Sequence, residues 1–145
     1  MQKLLHSCAT YPNATLRYKA SGMVLKAHSD ASYFSKSQTR NRAGAFTYMG
    51  GANEDSNRSN GSIMVISTIM RNVVSSAAGA ECGALFYNAK ELEALRTTLR
   101  EISHPQQATE IITDNSTADE IMRGTIKQKR TKSMDMRFYW VHDQM

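Results

Sequence analysis

The stretch from Ser75 to Ile102, SSAAGAECGALFYNAKELEALRTTLREI, constrains the fold more than any other part of the chain. Large aliphatic residues recur through it at helical spacing, so the pattern predicts one long helix with an apolar stripe. A serine is available as N-cap at its start, and Pro105 closes it. The stripe consists of Leu85, Leu92, Leu95, Leu99 and Ile102.

Three strand patterns and a short helix precede this long helix. The short helix covers residues 2–9 and stops before Pro12, because the residue before a proline is pushed out of helical space. The first strand runs from Met23 to Tyr33, and the second is AGAFTYMG, with alternating aromatic residues. The third, SIMVISTIMRNVV, is rich in Ile and Val, as a buried strand should be. We expect these strands to form an antiparallel meander.

The chain after the long helix predicts a strand and two helices. TEIITDN is a short apolar strand that ends on an acid. STADEIMRG opens a helix, in which Ser116 and Asp119 match a capping box and Gly124 is a natural stop. The last segment, KRTKSMDMRFYWVHDQ, is helical in pattern, with Met134, Phe138 and Val141 on one side. The order predicts an α/β protein of the α+β type: a mixed sheet with helices packed on it.

Length and composition indicate one soluble domain. The chain has 145 residues, 41% of them apolar and 21% charged, which is ordinary for a globular protein. No signal-peptide core is visible, and the longest apolar run, residues 63–70, is too short to cross a bilayer. The two cysteines, Cys8 and Cys82, have no metal-type spacing and are expected to be free thiols.

The positive charge is concentrated in one segment. Net charge is +5, and six basic residues against one acid, Asp135, lie between Arg123 and Arg137. The remaining 12 basic and 12 acidic residues cancel. This distribution favours a polyanionic partner, and its alternative is a solvated basic helix end without a ligand.

Three acids fall where the predicted elements should be buried or half-buried. Asp30 lies late in the first strand, Asp114 ends the fourth, and Glu81 precedes Leu85 by four residues and so lies on the apolar stripe. If the first and fourth strands are parallel neighbours, both aspartates emerge at one sheet edge, where open α/β sheets place ligands. Taken singly, each acid has a local alternative. Asp30 could cap a turn, Glu81 could lean toward the helix N-terminus, and Asp114 could cap the next helix.

Three converging carboxylates are unfavourable unless a cation meets them, because they are removed from water and repel one another. Hard oxygen ligands suit Mg²⁺ better than zinc. Two such ions about 3.5 to 4 Å apart can bind the attacking water and the departing oxygen of a phosphodiester. The acids therefore predict a site for two Mg²⁺ ions, which Mn²⁺ could replace.

Four blocks of the sequence resemble the RNase H domain of copia-type LTR retrotransposon polyproteins, which follows the reverse transcriptase. They extend in the family's order over roughly Leu16 to Asp143, nearly the whole chain. The resemblance implies an RNase H-like fold, with residues 1–15 as the tail of the reverse transcriptase connection and 16–145 as the domain. The blocks are HSDASY, VVSSAAGAECGAL, TDNSTA and KRTKSMDMRFYWVHD.

The implied activity is metal-dependent endonucleolytic hydrolysis of the RNA strand of RNA/DNA hybrids during reverse transcription. It would leave a 3′-hydroxyl and a 5′-phosphate, with Asp30, Glu81 and Asp114 as the metal-binding catalytic acids. The implied partners are the hybrid and the reverse transcriptase region of the same polyprotein, with no membrane and no small-molecule cofactor. The implied location is the cytoplasm, in a retroelement particle, or the nucleus.

The chain departs from the family at its C-terminal end. The family has a fourth acid beyond one more strand, whereas this chain stops at Met145, so we expect a truncated domain that lacks the C-terminal strand. Asp135, a late acid within the last of these blocks, is expected to orient its helix rather than bind metal. An alternative function is therefore a catalytically incomplete nucleic-acid-binding or scaffold module. An integrase core is disfavoured, because its glutamate follows both aspartates.

The terminal basic segment and the third acid's neighbours supply the predicted nucleic-acid contacts. Basic side chains would neutralise phosphates, and Asn115 and Ser116 could reach 2′-hydroxyls. Tyr139 and Trp140 could stack on a base, but side chains at that helical spacing are more often core. The predicted phosphate-binding residues are Lys127, Lys129, Arg130 and Lys132.

Overall fold

The computed structural model describes residues 2–33, 41–52, 60–71, 74, 76–126 and 132–144, and the side chains of residues 132–136 lie outside the description. Within it, the predicted order of helices and strands is confirmed. The elements are α1 (Gln2–Thr10), β1 (Val24–Ser32), β2 (Arg42–Gly50), β3 (Ser62–Ile69), α2 (Ala77–Glu101), β4 (Glu110–Thr113), α3 (Ser116–Met122) and α4 (Lys132–Asp143).

The four strands form one mixed sheet in the order β3-β2-β1-β4. β1 pairs antiparallel with β2, and β2 antiparallel with β3, so the predicted meander is confirmed. β1 pairs parallel with β4, which is the condition under which the two aspartates share one sheet edge. The connection from β3 to β4 runs through α2, because two parallel strands at opposite edges of a sheet need a crossover connection.

The core lies between the sheet and α2. Leu25 and Ala27 of β1 pack with Leu92 and Leu99 of α2, and all four are at most 7% exposed. The predicted stripe holds along most of the helix, but Ile102 is 67% exposed. The reason is that α2 ends at Glu101, so Ile102 is the C-cap residue outside the helix, and the chain turns away directly after it at Ser103, which has a left-handed φ of 64°.

The prediction that the third strand is buried is wrong. β3 is the edge strand of the sheet, and Ile63, Val65 and Ile69 are all exposed. Its Ile and Val content reflects the extended backbone rather than burial on both faces. Composition alone cannot separate these two cases.

α4 packs on α2 through aromatic and aliphatic side chains. Val141 is buried, and the Trp140 ring meets the Phe86 ring edge-on with centroids 5.4 Å apart. Trp140 thus belongs to the core, as predicted, whereas Tyr139 is 61% exposed and does not. The side chain of Met134 lies outside the description. Among the described helices, none combines the length and apolar character needed to cross a bilayer.

The predicted cap of α3 is off by one residue. Asn115, not Ser116, is the N-cap: its side-chain oxygen accepts a hydrogen bond from the backbone N–H of Ala118 at 3.0 Å. Both residue types favour this position, so the pattern was ambiguous. The predicted stop at Gly124 is confirmed by its left-handed φ of 71°.

Removal of this cap gives a small and specific loss of stability. We expect Asn115→Ala to lower the free energy of unfolding by about 1 kcal/mol, because the first turn of α3 loses its side-chain acceptor. Ser116→Ala, at an exposed position one residue later, is the matched control and should change it by less than about 0.5 kcal/mol. Urea unfolding of the three proteins measures the difference. Equal losses would contradict the cap assignment.

Candidate metal centre

The parallel pairing of β1 and β4 brings two aspartates to one edge of the sheet. The last paired positions are Ser29 on β1 and Thr113 on β4. Asp30 and Asp114 are the next residues on these two neighbouring strands, and both are exposed. Because the strands run in the same direction, both carboxylates emerge where the pairing ends.

Helix α2 supplies the third acid from above the sheet. Glu81 is the fifth residue of the helix and only 6% exposed, so it faces the strands as the apolar stripe predicted. Its Oε1 accepts a hydrogen bond of 3.1 Å from the backbone N–H of Ala31. This bond fixes the carboxylate next to Asp30. Its Oε2 is buried and has no hydrogen-bond partner among the described residues.

The three carboxylates converge. One oxygen each of Asp30, Glu81 and Asp114 can be chosen so that all three lie within 4.8 Å of one another. The pKa of the Glu81 carboxyl is raised from 4.5 to about 7, chiefly by burial; the Ala31 N–H opposes this change, and the charges of Asp30 and Asp114 add to it. The raised pKa means that this site resists a third negative charge in the absence of a counterion.

The local alternatives for the three acids do not match the structure. Asp30 lies inside β1 and not in a turn. Glu81 lies beyond the first turn of α2, where the helix dipole has little effect. Asp114 is not the cap of α3, because Asn115 fills that position. No local hydrogen-bonding role therefore accounts for the closeness of the three.

The donor set fits a hard divalent cation. All three groups offer carboxylate oxygens, and the unpartnered buried Oε2 of Glu81 is a lone-pair donor that water reaches poorly. Two oxygens bound to one Mg²⁺ by bonds of about 2.1 Å lie at most about 4.2 Å apart. The three carboxylate oxygens lie within 4.8 Å of one another, so they would have to move closer together to hold one ion.

A polar residue behind the cluster is absent from the sequence-based predictions. Asn88 follows Glu81 by seven residues, so it faces the same side of α2, and it is 1% exposed. Its Nδ2 donates to the main-chain oxygen of His28 at 3.4 Å, two residues before Asp30. The sequence signal that could have identified Asn88 is its spacing of seven residues from Glu81, which puts both residues on one side of the helix. Asn88 joins α2 to β1 beneath the acids.

The structure describes some of the residues that are predicted to contact nucleic acid. The Asn115 side-chain oxygen is used by the α3 cap, whereas Ser116 is exposed beside the cluster. Within the basic segment, Arg123 pairs with Asp119 at 2.8 Å, and the Arg137 guanidinium lies 5.5 Å from the centroid of the Phe86 ring. The other residues named from the sequence lie outside the described backbone or side chains: Lys127, Lys129, Arg130, Lys132 and the late acid Asp135.

Comparison with known proteins does not assign the chain to a family. No protein-family model matches the chain, and no curated protein matches it with significant similarity.

Proposed function

We propose that this chain is an RNase H-like domain of a copia-type retroelement polyprotein, which cleaves the RNA strand of RNA/DNA hybrids with the help of Mg²⁺. The observation that carries the proposal is the convergence of Asp30, Glu81 and Asp114, one of them buried with an unpartnered oxygen. In the described part of the chain no ion pair is formed by these three carboxylates, and such a cluster is typical of a site that binds divalent ions.

The topology supports the proposal. Antiparallel β1 to β3, a crossover helix and a parallel β4 place the acids at one edge of the sheet in the order strand, helix, strand. The resemblance of HSDASY, VVSSAAGAECGAL and TDNSTA to the copia-type RNase H blocks gives these same three residues the role of metal ligands. Sequence pattern and spatial arrangement therefore favour the same assignment.

The two exposed aspartates and the buried glutamate have different parts in the proposed reaction. Asp30 and Asp114, both exposed, can reach a phosphodiester at the surface, while Glu81 is held from behind by the Ala31 N–H. Bound Mg²⁺ would supply charge neutralisation and activation of the attacking water. Ser116, which is exposed two residues after Asp114, would contact the sugar next to the cleaved phosphate, where a 2′-hydroxyl distinguishes RNA from DNA.

A second candidate is a module that binds hybrids without cutting them. It is favoured by the size of the acid cluster, which in the described part of the chain holds three carboxylates, whereas the resembled family uses four. Such a module would use the basic segment for phosphate contacts and keep salt-sensitive affinity without hydrolysis.

The test is incubation of the chain with an end-labelled RNA/DNA hybrid. We expect cleavage of the RNA strand with Mg²⁺ and none with EDTA, because the three carboxylates cannot bind phosphate unaided. Double-stranded DNA of the same sequence is the control and should stay intact. Retention of the hybrid without cleavage, in Mg²⁺ or Mn²⁺, would favour the binding module. Absence of both cleavage and binding would refute both proposals.

A further inference from the structure

The buried face of α2 carries a neutral polar side chain in the middle of its apolar stripe. Asn88 is 1% exposed and lies one turn from Leu85 on one side and one turn from Leu92 on the other. A leucine at this position would continue the stripe and remove more apolar surface from water. Burial of apolar surface therefore does not explain an asparagine here.

The hydrogen bonds of the Asn88 side chain add little to the stability of the fold. Its Nδ2 donates to the main-chain oxygen of His28 at 3.4 Å, which is long for a hydrogen bond between nitrogen and oxygen. Its Oδ1 is buried and has no hydrogen-bond partner among the described residues. A buried amide oxygen without a donor lowers stability, because it gives up its hydrogen bonds to water. The reason for an asparagine at this position must lie elsewhere.

Asn88 and Glu81 contact the backbone of β1 at two points, and the spacing of these points matches on helix and strand. The Oε1 of Glu81 accepts from the N–H of Ala31 at 3.1 Å, and the Nδ2 of Asn88 donates to His28. Seven residues of an α-helix rise about 10.5 Å, at about 1.5 Å each. Three residues of a strand extend about 10 Å, at about 3.3 Å each. Both contacts therefore form together in one alignment of α2 along β1, and a shift of α2 by one turn would break both.

The apolar contacts of α2 hold the helix on the sheet but do little to fix this alignment. Leu92 and Leu99 pack with Leu25 and Ala27 of β1. The strength of such contacts depends on the area that is buried and not on direction, so they discriminate weakly between neighbouring alignments. In coiled coils, a single polar residue on an apolar helix face specifies the alignment at a cost in stability. Asn88 has both of these properties.

We propose that Asn88 is a positioning residue of the acid cluster. Its contact with His28 fixes α2 along β1, and this alignment holds the Glu81 carboxylate beside Asp30 and Asp114. The inference rests on the proposed cation site, because the alignment bears on function only if the three carboxylates share metal ions. Asn88 acts through the helix and not by direct contact, since it lies two turns away from Glu81.

The first test follows the N–H of Ala31, which reports the position of the Glu81 carboxylate without any metal. Asn88→Leu removes the donor and keeps a side chain of similar size. In this variant the Ala31 amide should exchange with solvent at least about tenfold faster than in the unmodified chain. Amides that pair β2 with β3 are the internal control and should not change. Hydrogen exchange followed by NMR in EDTA measures both, and an unchanged rate at Ala31 overturns the proposal.

The second test is calorimetric titration of the full chain with Mg²⁺. We expect Asn88→Leu to raise the dissociation constant at least about tenfold, which is the usual effect of losing a residue that orients a metal ligand. Leu92→Ala is the matched control, because it removes an apolar contact of α2 with β1. It should lower the urea midpoint and leave the dissociation constant of the folded chain within about twofold. If Asn88→Leu likewise loses stability but keeps its affinity, its role is structural and the proposal is overturned.

The two readouts separate this proposal from the proposed function. If the unmodified chain binds no Mg²⁺, the proposed function fails, while the exchange rate at Ala31 still decides whether Asn88 aligns α2. If the unmodified chain binds Mg²⁺ and Asn88→Leu changes neither readout, the cation site stands and the positioning role is refuted. Asn88→Ala takes the place of a leucine variant that does not fold, because the smaller side chain cannot clash, and the same two results decide.

Discussion

Asp30→Asn should abolish Mg²⁺-dependent cleavage of the RNA strand, with a rate loss of at least about a thousandfold, while the hybrid still binds. The amide keeps the size of the side chain and removes one of the three charges that converge within 4.8 Å. Loss of a single group that stabilises charge in the transition state already costs about 10² to 10³ in rate. A direct metal ligand should cost at least as much.

Binding of the hybrid should respond in the opposite sense. Asp30 is exposed, so its carboxylate repels the phosphates of a bound strand, and the uncharged variant should bind equally well or more tightly. Fluorescence anisotropy with a labelled hybrid in EDTA measures this affinity. Asp143→Asn, an exposed acid at the end of α4, is the matched control and should cleave at the normal rate. Normal cleavage by Asp30→Asn would refute the nuclease proposal.

Glu81→Gln should stabilise the metal-free protein at pH 8 by about 2 to 3 kcal/mol. Burial raises the pKa of Glu81 to about 7 in the folded chain, against 4.5 when it is exposed. A raised carboxyl pKa means that folding favours the protonated form. The unmodified protein therefore loses stability as pH rises from about 4.5 to about 7, and the full loss persists above that range. Glutamine carries no charge and escapes this loss.

The same variant should lose its response to metal. Saturating Mg²⁺ should stabilise the unmodified protein by about 2.7 kcal/mol at a hundred times the dissociation constant, since it binds only the folded cluster. Glu81→Gln should gain much less. Urea unfolding at pH 5 and pH 8, with Mg²⁺ and with EDTA, measures both effects, and the advantage of glutamine should shrink below about 1 kcal/mol at pH 5.

Glu91→Gln is the matched control, because Glu91 is an exposed residue of the same helix. Its stability should follow that of the unmodified protein at both pH values and keep the Mg²⁺ response. If Glu81→Gln is no more stable than the unmodified chain at pH 8 without metal, the carboxyl of Glu81 is not held in an unfavourable environment. The case for a cation-binding cluster would then fail.

Periodicity was sufficient to predict the parts of the fold that carry the site. The long helix, its stripe and the position of Glu81 on that stripe follow from 3.6-residue spacing, and Glu81 is buried as expected. The meander followed from the order of the strand patterns, whereas the parallel pairing of β1 and β4 entered the sequence argument only as a condition. With that condition met, Asp30 and Asp114 lie at one sheet edge, with Glu81 on the helix packed against it.

Features that depend on tertiary contacts were not predictable in this way. β3 has the composition of a buried strand but lies at the sheet edge, because neighbours and not propensity determine burial. Ile102 continues the stripe in sequence, yet the helix ends one residue earlier. The N-cap of α3 lay between two equally suitable residues, Asn115 and Ser116. Each error concerns a choice that only the packed chain resolves.

The register between β1 and β4 has a consequence for how the acids could be lost. Side chains alternate between the faces of a strand, so a slip of β4 by one residue would turn Asp114 to the opposite face. At the far end of the same four-residue pairing, Lys26 and Glu110 are partners both in the ladder and in an ion pair of 3.7 Å. The register that pairs Glu110 with Lys26 therefore also determines where Asp114 lies. The ion pair at the far end of the ladder thus helps to maintain the geometry on which catalysis would depend.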